Sequence, residues 1–518
     1  MYRLGIDVGG TNTDAIILND RLQVIASVKA HTTQNIESGI FNALTKVLQL
    51  AHISPSEITQ AMLGTTQCTN AIVERKHLAK VGVLRVGYPA TASVPPYTAW
   101  PEDMVESLGG YTAIVDGGFE TDGRVLNEID KKQIIDILGD WKGKVESVAI
   151  VGVFSSVNDE QEEVVGKLAK QMLGEDIPVS LSSKIGSLGL IERENATILN
   201  ASLSKVIQNT VDGFKKALEN EGVVNARLYL CQNDGTLMSS EFARRYPILT
   251  IGSGPTNSIR GAAYLAEIRN AIVVDVGGTT TDLGVLQNGF PRESSLAIEV
   301  GGITTNFRMP DVISIGLGGG SIVTVNDDGS VSVGPKSVGY KIVEEAITFG
   351  GDTLTATDVA VRLGMSTVGN PERVSQKVDL GVAEKALAEI KRMVEDAVDK
   401  MKTNANDAAI VLVGGGSIIV PEKLAGVSKA VKDELGSVAN AIGASIAQIS
   451  GQIEQIYVYS EQNREESLND AQRQAADLAE EAGADTNTLE LVEVEEIPIA
   501  YNADGSTKVR VKIVGDLL

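Results

Sequence analysis

LGIDVGGTNTDAIIL at residues 4–18 returns as VVDVGGTTTDLGVL at residues 273–286, and the reading of this pair decides the fold. Each copy runs from an apolar stretch through two glycines and hydroxyl residues into a second apolar stretch, the pattern of a β-hairpin. No helix opens after the glycines. That separates the motif from the P-loop, where GK[ST] precedes a helix, and from the dinucleotide fingerprint GxGxxG inside a βαβ unit. The aspartates Asp7 and Asp275 recur 275 − 7 = 268 residues apart, so the chain is expected to hold two similar lobes.

The surrounding segments have α/β texture. Residues 35–51 read as an amphipathic helix capped by Asn35, and AKVGVLRVG (79–87) and VESVAIVGVF (145–154) read as strands. Residues 93–125, with Pro95, Pro96, Pro101 and clustered glycines, read as irregular and exposed, a lid or a subdomain edge. Helical periodicity over 191–222 links one lobe to the next, and 379–402 forms a strong helix. AAIVLVGGGSIIV (408–420) reads as strand, glycine turn and helix start, and ANAIGASIAQISG (439–451) as a small-residue helix packed closely on a neighbour. The acidic tail 461–518 reads as a solvated helix and then strands, with a turn at 502–505. These divisions give a first lobe over 1–190, a second over 191–455, and a C-terminal helix with strands over 456–518.

Composition narrows the function classes. In 518 residues, 43% hydrophobic and 22% charged content fits a soluble globular chain rather than a disordered or fibrous one. A net charge of 45 − 68 = −23 repels phosphate backbones, and 4% aromatics leave few stacking platforms, so neither nucleic acid nor an anionic membrane is an expected partner. Cys68 and Cys231 form no CxxC pair, no signal sequence is evident at the N-terminus, and no apolar run reaches about 18 residues, so a reducing cytoplasm is expected. The three histidines, His31, His52 and His77, all lie early, which excludes a histidine-based triad drawn from the later chain.

Glycines let backbone N–H groups approach a phosphate, and threonine hydroxyls add donors without adding repulsive charge. Gly9, Gly10, Thr11 and Thr13 in the first hairpin, and Gly277, Gly278, Thr279, Thr280 and Thr281 in the second, fit that role from opposite sides of a triphosphate. Asp7 and Asp275 end their strands at the mouths of the turns, where a carboxylate holds water on Mg²⁺ or orients an attacking oxygen, with Asp282 and Asp14 supporting the metal shell. Gly414, Gly415, Gly416 and Ser417 are expected beneath the adenosine. Thr65, Thr66 and Asn70 are candidates for polar contact with a substrate, and Arg193, Asn195 and Ser253 either reach the cleft or serve caps and turns. Cys68 has no basic neighbour in sequence and is expected to pack rather than to react.

DVGGTNTD, DVGGTTTD and VGGGS together resemble the nucleotide-binding signatures of the actin, sugar kinase and Hsp70 ATPase superfamily. GTTQCTNAIVERK (64–76), NDGTLMSSEFARRYPILTIGSGP (233–255) and IGLGGGSI (315–322) are more closely similar to segments of the hydantoinase A and 5-oxoprolinase family, and the resemblance extends from about residue 3 to about 420. It implies an α/β fold of two RNase H-like, actin-like ATPase lobes with a nucleotide cleft and an inserted subdomain. It also implies ATP and Mg²⁺, a cyclic amide such as a hydantoin, 5-oxoproline or another lactam as substrate, and a B-type partner subunit, with homo-oligomers possible. A small-molecule kinase or an ATP-dependent carboxylase subunit is the first alternative reading, and a non-catalytic nucleotide-switched assembly protein the second. A histidine that larger family members place before the glycine cluster is absent, Ile313 standing there, and the middle of 334–358 is replaced although Gly334, Pro335, Ser337, Gly350, Gly351, Thr355 and Asp358 are kept.

Overall fold

The computed structural model describes residues 2–8, 12–31, 36–186, 188–294, 298–307, 309–459, 463–499 and 506–518. Both copies of the repeated motif are hairpins. Tyr2–Val8 pairs antiparallel with Asn12–Leu18, setting Asp7 opposite Asp14, and Ala271–Val276 pairs with Thr281–Gln287, setting Asp275 opposite Asp282. Leu4 through Val8 are buried without alternation, as expected of a strand covered on both faces.

Each hairpin nucleates a sheet of the same order. In the first lobe, Val24–His31 and Asn12–Leu18 lie to one side of Tyr2–Val8, and the parallel strands Ile58–Thr65 and Arg227–Cys231 to the other. In the second, Val312–Ile315 and Thr281–Gln287 flank Ala271–Val276, followed by the parallel strands Ala408–Val413 and Val427–Lys432. Three antiparallel strands with two parallel strands beside the first is the RNase H-like order, present twice. The protein is therefore an α/β protein of two such lobes.

Sheet membership does not follow the linear cuts at 190 and 455. Leu237–Ser239, Ile449–Val458, Ser506–Gly515 and Glu490–Pro498 all extend the first-lobe sheet beyond Arg227–Cys231, so the tail completes the sheet that Tyr2 begins. The tail helix Arg464–Ala482 is not solvated all round: Ala471, Ala475 and Ala479 are buried against Ile449–Val458, where Gly451 allows the helix backbone to approach. The expected turn at 502–505 lies outside the described residues.

A four-stranded parallel sheet, Tyr111–Asp116, Val81–Tyr88, Ser147–Gly152 and Val179–Leu181, forms an inserted subdomain with its own core around Leu84, Val148 and Trp141. Part of it comes from the segment expected to be irregular. Residues 93–125 contain the helix Glu102–Leu108 and the strand Tyr111–Asp116. Pro101 is the N-cap of that helix, and the short helix and strand were hidden by the proline and glycine signals on either side. The subdomain is tied to the first lobe by a buried bidentate ion pair, Arg85 Nε and Nη2 to Glu194 at 2.7 and 2.6 Å. Removal of either partner would strand the other charge in the interior.

Two helices cross between the lobes. Ser253–Ala266 runs into the second sheet and Ala439–Ile446 returns from it, and they meet at backbone contact. A Cβ at Gly261 would lie 1.9 Å from the Ala439 carbonyl, and one at Gly443 would lie 1.9 Å from that of Asn257. Glycine at both positions is what this crossing requires; the small-residue helix expected over 439–451 is close-packed as read but ends at Ile446, and 449–451 open the strand Ile449–Val458. Among the described residues, no helix is long and apolar enough to cross a membrane.

Candidate functional site

The crossing helices join the two repeated aspartates. Asn257 Nδ2 donates to Asp7 Oδ1 at 3.2 Å, and Asn440 Nδ2 donates to Asp7 Oδ2 at 3.4 Å. The next residue along, Ser258, donates to Asp275 Oδ2 at 2.5 Å and also contacts the side-chain oxygen Oδ1 of Asn440. Asp7 and Asp275, one from each lobe, thus share one hydrogen-bonded network built on adjacent residues of a single helix. Gly64, beside Asp7 in the parallel ladder, keeps the space open: a Cβ there would sit 2.2 Å from Asp7 Oδ1.

Four carboxylates and one lysine set the electrostatics. Burial pushes Asp7 up to about 6, with Asp14 and Asp275 adding repulsion against the hydrogen bonds of Asn257 and Asn440. Burial likewise lifts Asp275 to about 6 against the Ser258 hydrogen bond, with Asp282 and Asp14 raising it further and Lys29 opposing them. Lys29 pairs with Asp14 at 2.9 Å, while the other Asp14 oxygen, Oδ1, is buried and bonds to nothing among the described residues. Asp282 accepts from Ser314 on the neighbouring strand.

The second hairpin turn is clamped from behind by two glycine loops. Gly319 N donates to Gly277 O at 3.0 Å, Gly320 N to Gly278 O at 2.8 Å, and Gly416 N to Val276 O at 2.8 Å. Contact is so close that a Cβ at Gly318 would lie 2.6 Å from Gly278 C and Thr279 N, and one at Gly414 would lie 2.3 Å from Asp275 Oδ1. Ser337 Oγ adds a donor to Gly278 O at 3.3 Å, and Thr357 Oγ1 holds Gly319 O at 2.9 Å. The carbonyls of Val276, Gly277 and Gly278 are thus taken up on the protein side. Gly278 and Thr279 are exposed, and their N–H groups make no hydrogen bond among the described residues, which leaves consecutive amide donors on the solvent side of the turn.

The other sequence candidates fall at definite places. Gly9, Gly10 and Thr11 lie outside the described residues. Thr13 is fully buried opposite Val8 and has no accessible surface to offer a ligand, a departure from its expected donor role. Thr280 is exposed beside Thr279 in the turn, whereas Thr281 is buried and donates to Leu317 O at 2.6 Å. Of the VGGGS glycines, Gly414 and Gly416 pack against the hairpin, whereas Gly415 is exposed with no atom within 4 Å of a built Cβ; Ser417 is buried. Thr65 follows Gly64 at the end of its strand and pairs with Val8, Ser253 Oγ reaches Thr65 O at 3.5 Å, and Thr66 caps the helix Gln67–Glu74, where Asn70 bonds its hydroxyl at 3.3 Å. Thr65 thus borders the first hairpin, with Ser253 beside it.

Arg193 and Asn195 do not reach this cleft. Arg193 bonds Ser182 Oγ and Gly152 O, and Asn195 accepts from Trp100 and donates to Thr304 O, so both tie the inserted subdomain to the lobe. Ile313, half-buried, packs against the second-lobe core. Cys68 is buried, and its thiol is pushed up to about 12, so it carries no thiolate at neutral pH. Cys68→Ala is therefore expected to leave any phosphoryl-transfer activity within about threefold, whereas a nucleophilic role would abolish it; steady-state phosphate release decides.

Asn257, Ser258, Asn440 and Lys29 were not singled out from the sequence. The first two stand directly after the quoted SGP motif, in SGPTNS, and Asn440 stands in the small-residue helix. The available signal was amide and hydroxyl side chains beside glycines that force close packing. Among the described residues no three His, Cys, Asp or Glu side chains converge as a metal cage. The acidic excess and the orphaned Asp14 oxygen nonetheless fit a hydrated cation that arrives with phosphate oxygens, the usual state of Mg²⁺.

Comparisons with known proteins bear on the family and the fold. Residues 3–173 match the model of the hydantoinase/oxoprolinase N-terminal region, and residues 193–369 match that of hydantoinase/oxoprolinase. The caprolactamase subunit alpha of Pseudomonas jessenii is 26% identical over 421 residues, covering 75% of this chain and 58% of the relative. The acetophenone carboxylase gamma subunit of Aromatoleum aromaticum is 24% identical over 416 residues, covering 74% and 56%. The chain thus matches less than three fifths of the length of either relative. The crystal structure of the ATP-dependent caprolactamase from Pseudomonas jessenii superposes with a TM-score of 0.81 at 19% identity, over 100% of this chain and 88% of that one.

Proposed function

The chain belongs to the hydantoinase/oxoprolinase family, and from that premise we propose that it is the ATP-using subunit of a cyclic amide hydrolase, phosphorylating the ring amide of a hydantoin, 5-oxoproline or similar lactam. The observation that carries the reading is the single network linking Asp7 of one repeated hairpin to Asp275 of the other, beside a turn with two outward amide donors. Gly278 and Thr279 N–H would hold phosphate oxygens, Gly415 would lie under the adenosine, and Asp7, Asp14 and Asp275 would hold the water around Mg²⁺. ATP supplies the transferable phosphoryl group and Mg²⁺ neutralises its charge.

The chemistry explains the need for ATP. An unstrained amide is a poor electrophile, and its carbonyl oxygen is a poor leaving group. When that oxygen attacks the γ-phosphorus, ADP departs and an imidate phosphate results. One water then adds to the carbon so that the ring nitrogen leaves as an amine, and a second water cleaves the acyl phosphate, for a net release of ADP and phosphate. Asp7 and Asp275 orient the attack through their fixed hydrogen bonds, and the paired amides stabilise charge on the transferring group. Ring opening is assigned to a B-type partner, in keeping with the subunit names of the relatives.

Phosphate release against a panel of lactams and hydantoins, with and without a partner subunit, tests the reading. An opened ring with phosphate in equal amount is the expected result; a stable phosphorylated product would point to a kinase, and bicarbonate-dependent turnover to a carboxylase. Both aspartates must be ionised to act, and both titrate near 6 in the nucleotide-free protein. The kcat/KM for ATP is therefore expected to rise about tenfold or more per pH unit below 6 and to level off near 7. A profile flat from pH 5 to 8 would remove the ionisable role.

A further inference from the structure

The repeated hairpins place a matching row of side chains in each lobe. In the first, Asp7, Asp14 and Lys29 stand side by side on three adjacent strands, Asp7 opposite Asp14 and Asp14 opposite Lys29. In the second, the row reads Asp275, Asp282 and Ser314, paired in the same way. Opposed residues of an antiparallel ladder project from one face of the sheet, so each row presents its three side chains together. The rows agree at two places and differ at the third, where one lobe has an ammonium and the other a hydroxyl.

Each third residue bonds its middle aspartate. Ser314 Oγ donates to Asp282 Oδ1, and Lys29 Nζ donates to Asp14 Oδ2 at 2.9 Å. Asp282 is held by that hydroxyl with no cation paired to it among the described residues, so an aspartate at this level of the sheet needs no lysine to stay in place. Lys29 therefore has a surplus to account for. An ammonium has three donors, and Lys29 makes no second hydrogen bond among the described residues. Its side chain is 38% exposed, whereas that of Asp14 is 8% exposed. Its charge also acts on Asp275 of the opposite lobe. An accessible ammonium, anchored on a buried carboxylate and felt across the gap, faces the space between the two rows.

Charge balance gives that ammonium a use. The carboxylates of both rows repel a triphosphate, and a magnesium ion offsets only part of the combined charge. On the second lobe the Gly278 and Thr279 amides supply donors with partial charge alone. The first lobe supplies a full positive charge, at Lys29.

We infer that Lys29 is a catalytic residue of the proposed reaction, its free N–H donors holding the terminal phosphate of the nucleotide from the first lobe while the Gly278 and Thr279 amides hold phosphate oxygens from the second. The inference rests on the reading above and deepens it by naming the side chain that meets the group being transferred. Lys29 forms no covalent bond. It holds the charge on the phosphoryl oxygens while the amide oxygen bonds to phosphorus and ADP leaves, and Asp14 fixes its direction.

Calorimetric titration of the full chain with Mg²⁺ and either a non-hydrolysable ATP analogue or ADP tests this, because the two ligands differ in the terminal phosphate. Lys29→Met is expected to weaken the analogue by roughly 10–100-fold and ADP by less than about threefold, and to cut amide-dependent phosphate release by about 10²-fold or more. Lys29→Arg, which keeps the charge, should recover most of the lost affinity for the analogue. In the unaltered protein the analogue should slow reductive methylation of Lys29, followed by peptide mass spectrometry, more strongly than ADP does; this readout needs no variant to fold. If Lys29→Met, folded by circular dichroism, weakens both ligands alike or neither, if Lys29→Arg behaves as Lys29→Met, or if the two ligands protect Lys29 equally, then Lys29 serves Asp14 alone and the assignment is wrong. Amide-dependent phosphate release by the parent would in that case leave the activity standing. If the parent binds neither nucleotide, the ATP-using reading fails and the assignment with it.

Discussion

Asp7→Asn and Asp275→Asn, made separately, are expected to cut ATP turnover by roughly 10²–10³-fold while making the nucleotide-free protein more stable above pH 6. The two effects have one cause. Each carboxyl is lifted from 3.8 to about 6, chiefly by burial, so the folded protein holds its proton more tightly than the unfolded chain does. A group raised in this way leaves stability unchanged below about pH 4, where both states are protonated. As pH rises through 6 the folded state must carry a charge it solvates poorly, and stability falls. About two pH units correspond to roughly 3 kcal/mol at Asp7, and to less at the half-buried Asp275, where water screens the charge. Asparagine has nearly the same shape and stays neutral; at position 275 it still accepts from Ser258, and at position 7 it still accepts from Asn257 while giving up the longer bond from Asn440, which lowers the gain there. Thermal denaturation at pH 7.5 should show the variants above the parent, and at pH 4 the difference should vanish. Loss of stability in both variants at pH 7.5 would mean that these carboxyls serve the fold, and retained turnover would remove them from the chemistry.

Much of this was legible in the chain because the hairpin signal is local. Apolar strands, paired glycines and a repeated aspartate specify a strand end and what stands there, and the structure has both hairpins with Asp7 and Asp275 at their mouths. The helices at 191–222 and 379–402 were legible for the same reason, since their apolar spacing lies within one segment. What escaped depends on distant partners. That Ser506–Gly515 completes the sheet begun at Tyr2 is set by pairing with Ile449–Val458, and no local pattern in the tail reports it. Asn257, Ser258 and Asn440 escaped because an amide or hydroxyl on a helix has no meaning until the opposing helix is placed, and that placement hangs on Gly261 and Gly443. Thr13 was misread because a threonine beside a glycine turn points inward or outward according to the register, and here the register buries it opposite Val8.

Gly318→Ala is expected to weaken ATP binding by about 10–100-fold with the overall fold intact, a large effect for one methyl group. The new carbon would lie 2.6 Å from Gly278 C and Thr279 N, both backbone atoms, so no side chain can swing aside. Either the 316–320 loop backs away and gives up the bonds from Gly319 N and Gly320 N, or the hairpin turn is pushed toward the cleft. In both cases the Gly278 and Thr279 amides lose the fixed direction that their value to a phosphate depends on, and displacements of about 1 Å are costly in such sites. Overpacking by about 1–3 kcal/mol is within what a protein with several separate cores absorbs without unfolding. Gly415→Ala is the contrasting change. Nothing lies within 4 Å of its built Cβ, so the hairpin should be undisturbed, and turnover at saturating ATP should hold even where the methyl group weakens adenosine binding. Calorimetric titration with a non-hydrolysable ATP analogue, beside circular dichroism of each variant, separates the two. Equal affinity in Gly318→Ala and the parent would show that the second hairpin turn does not hold the phosphates.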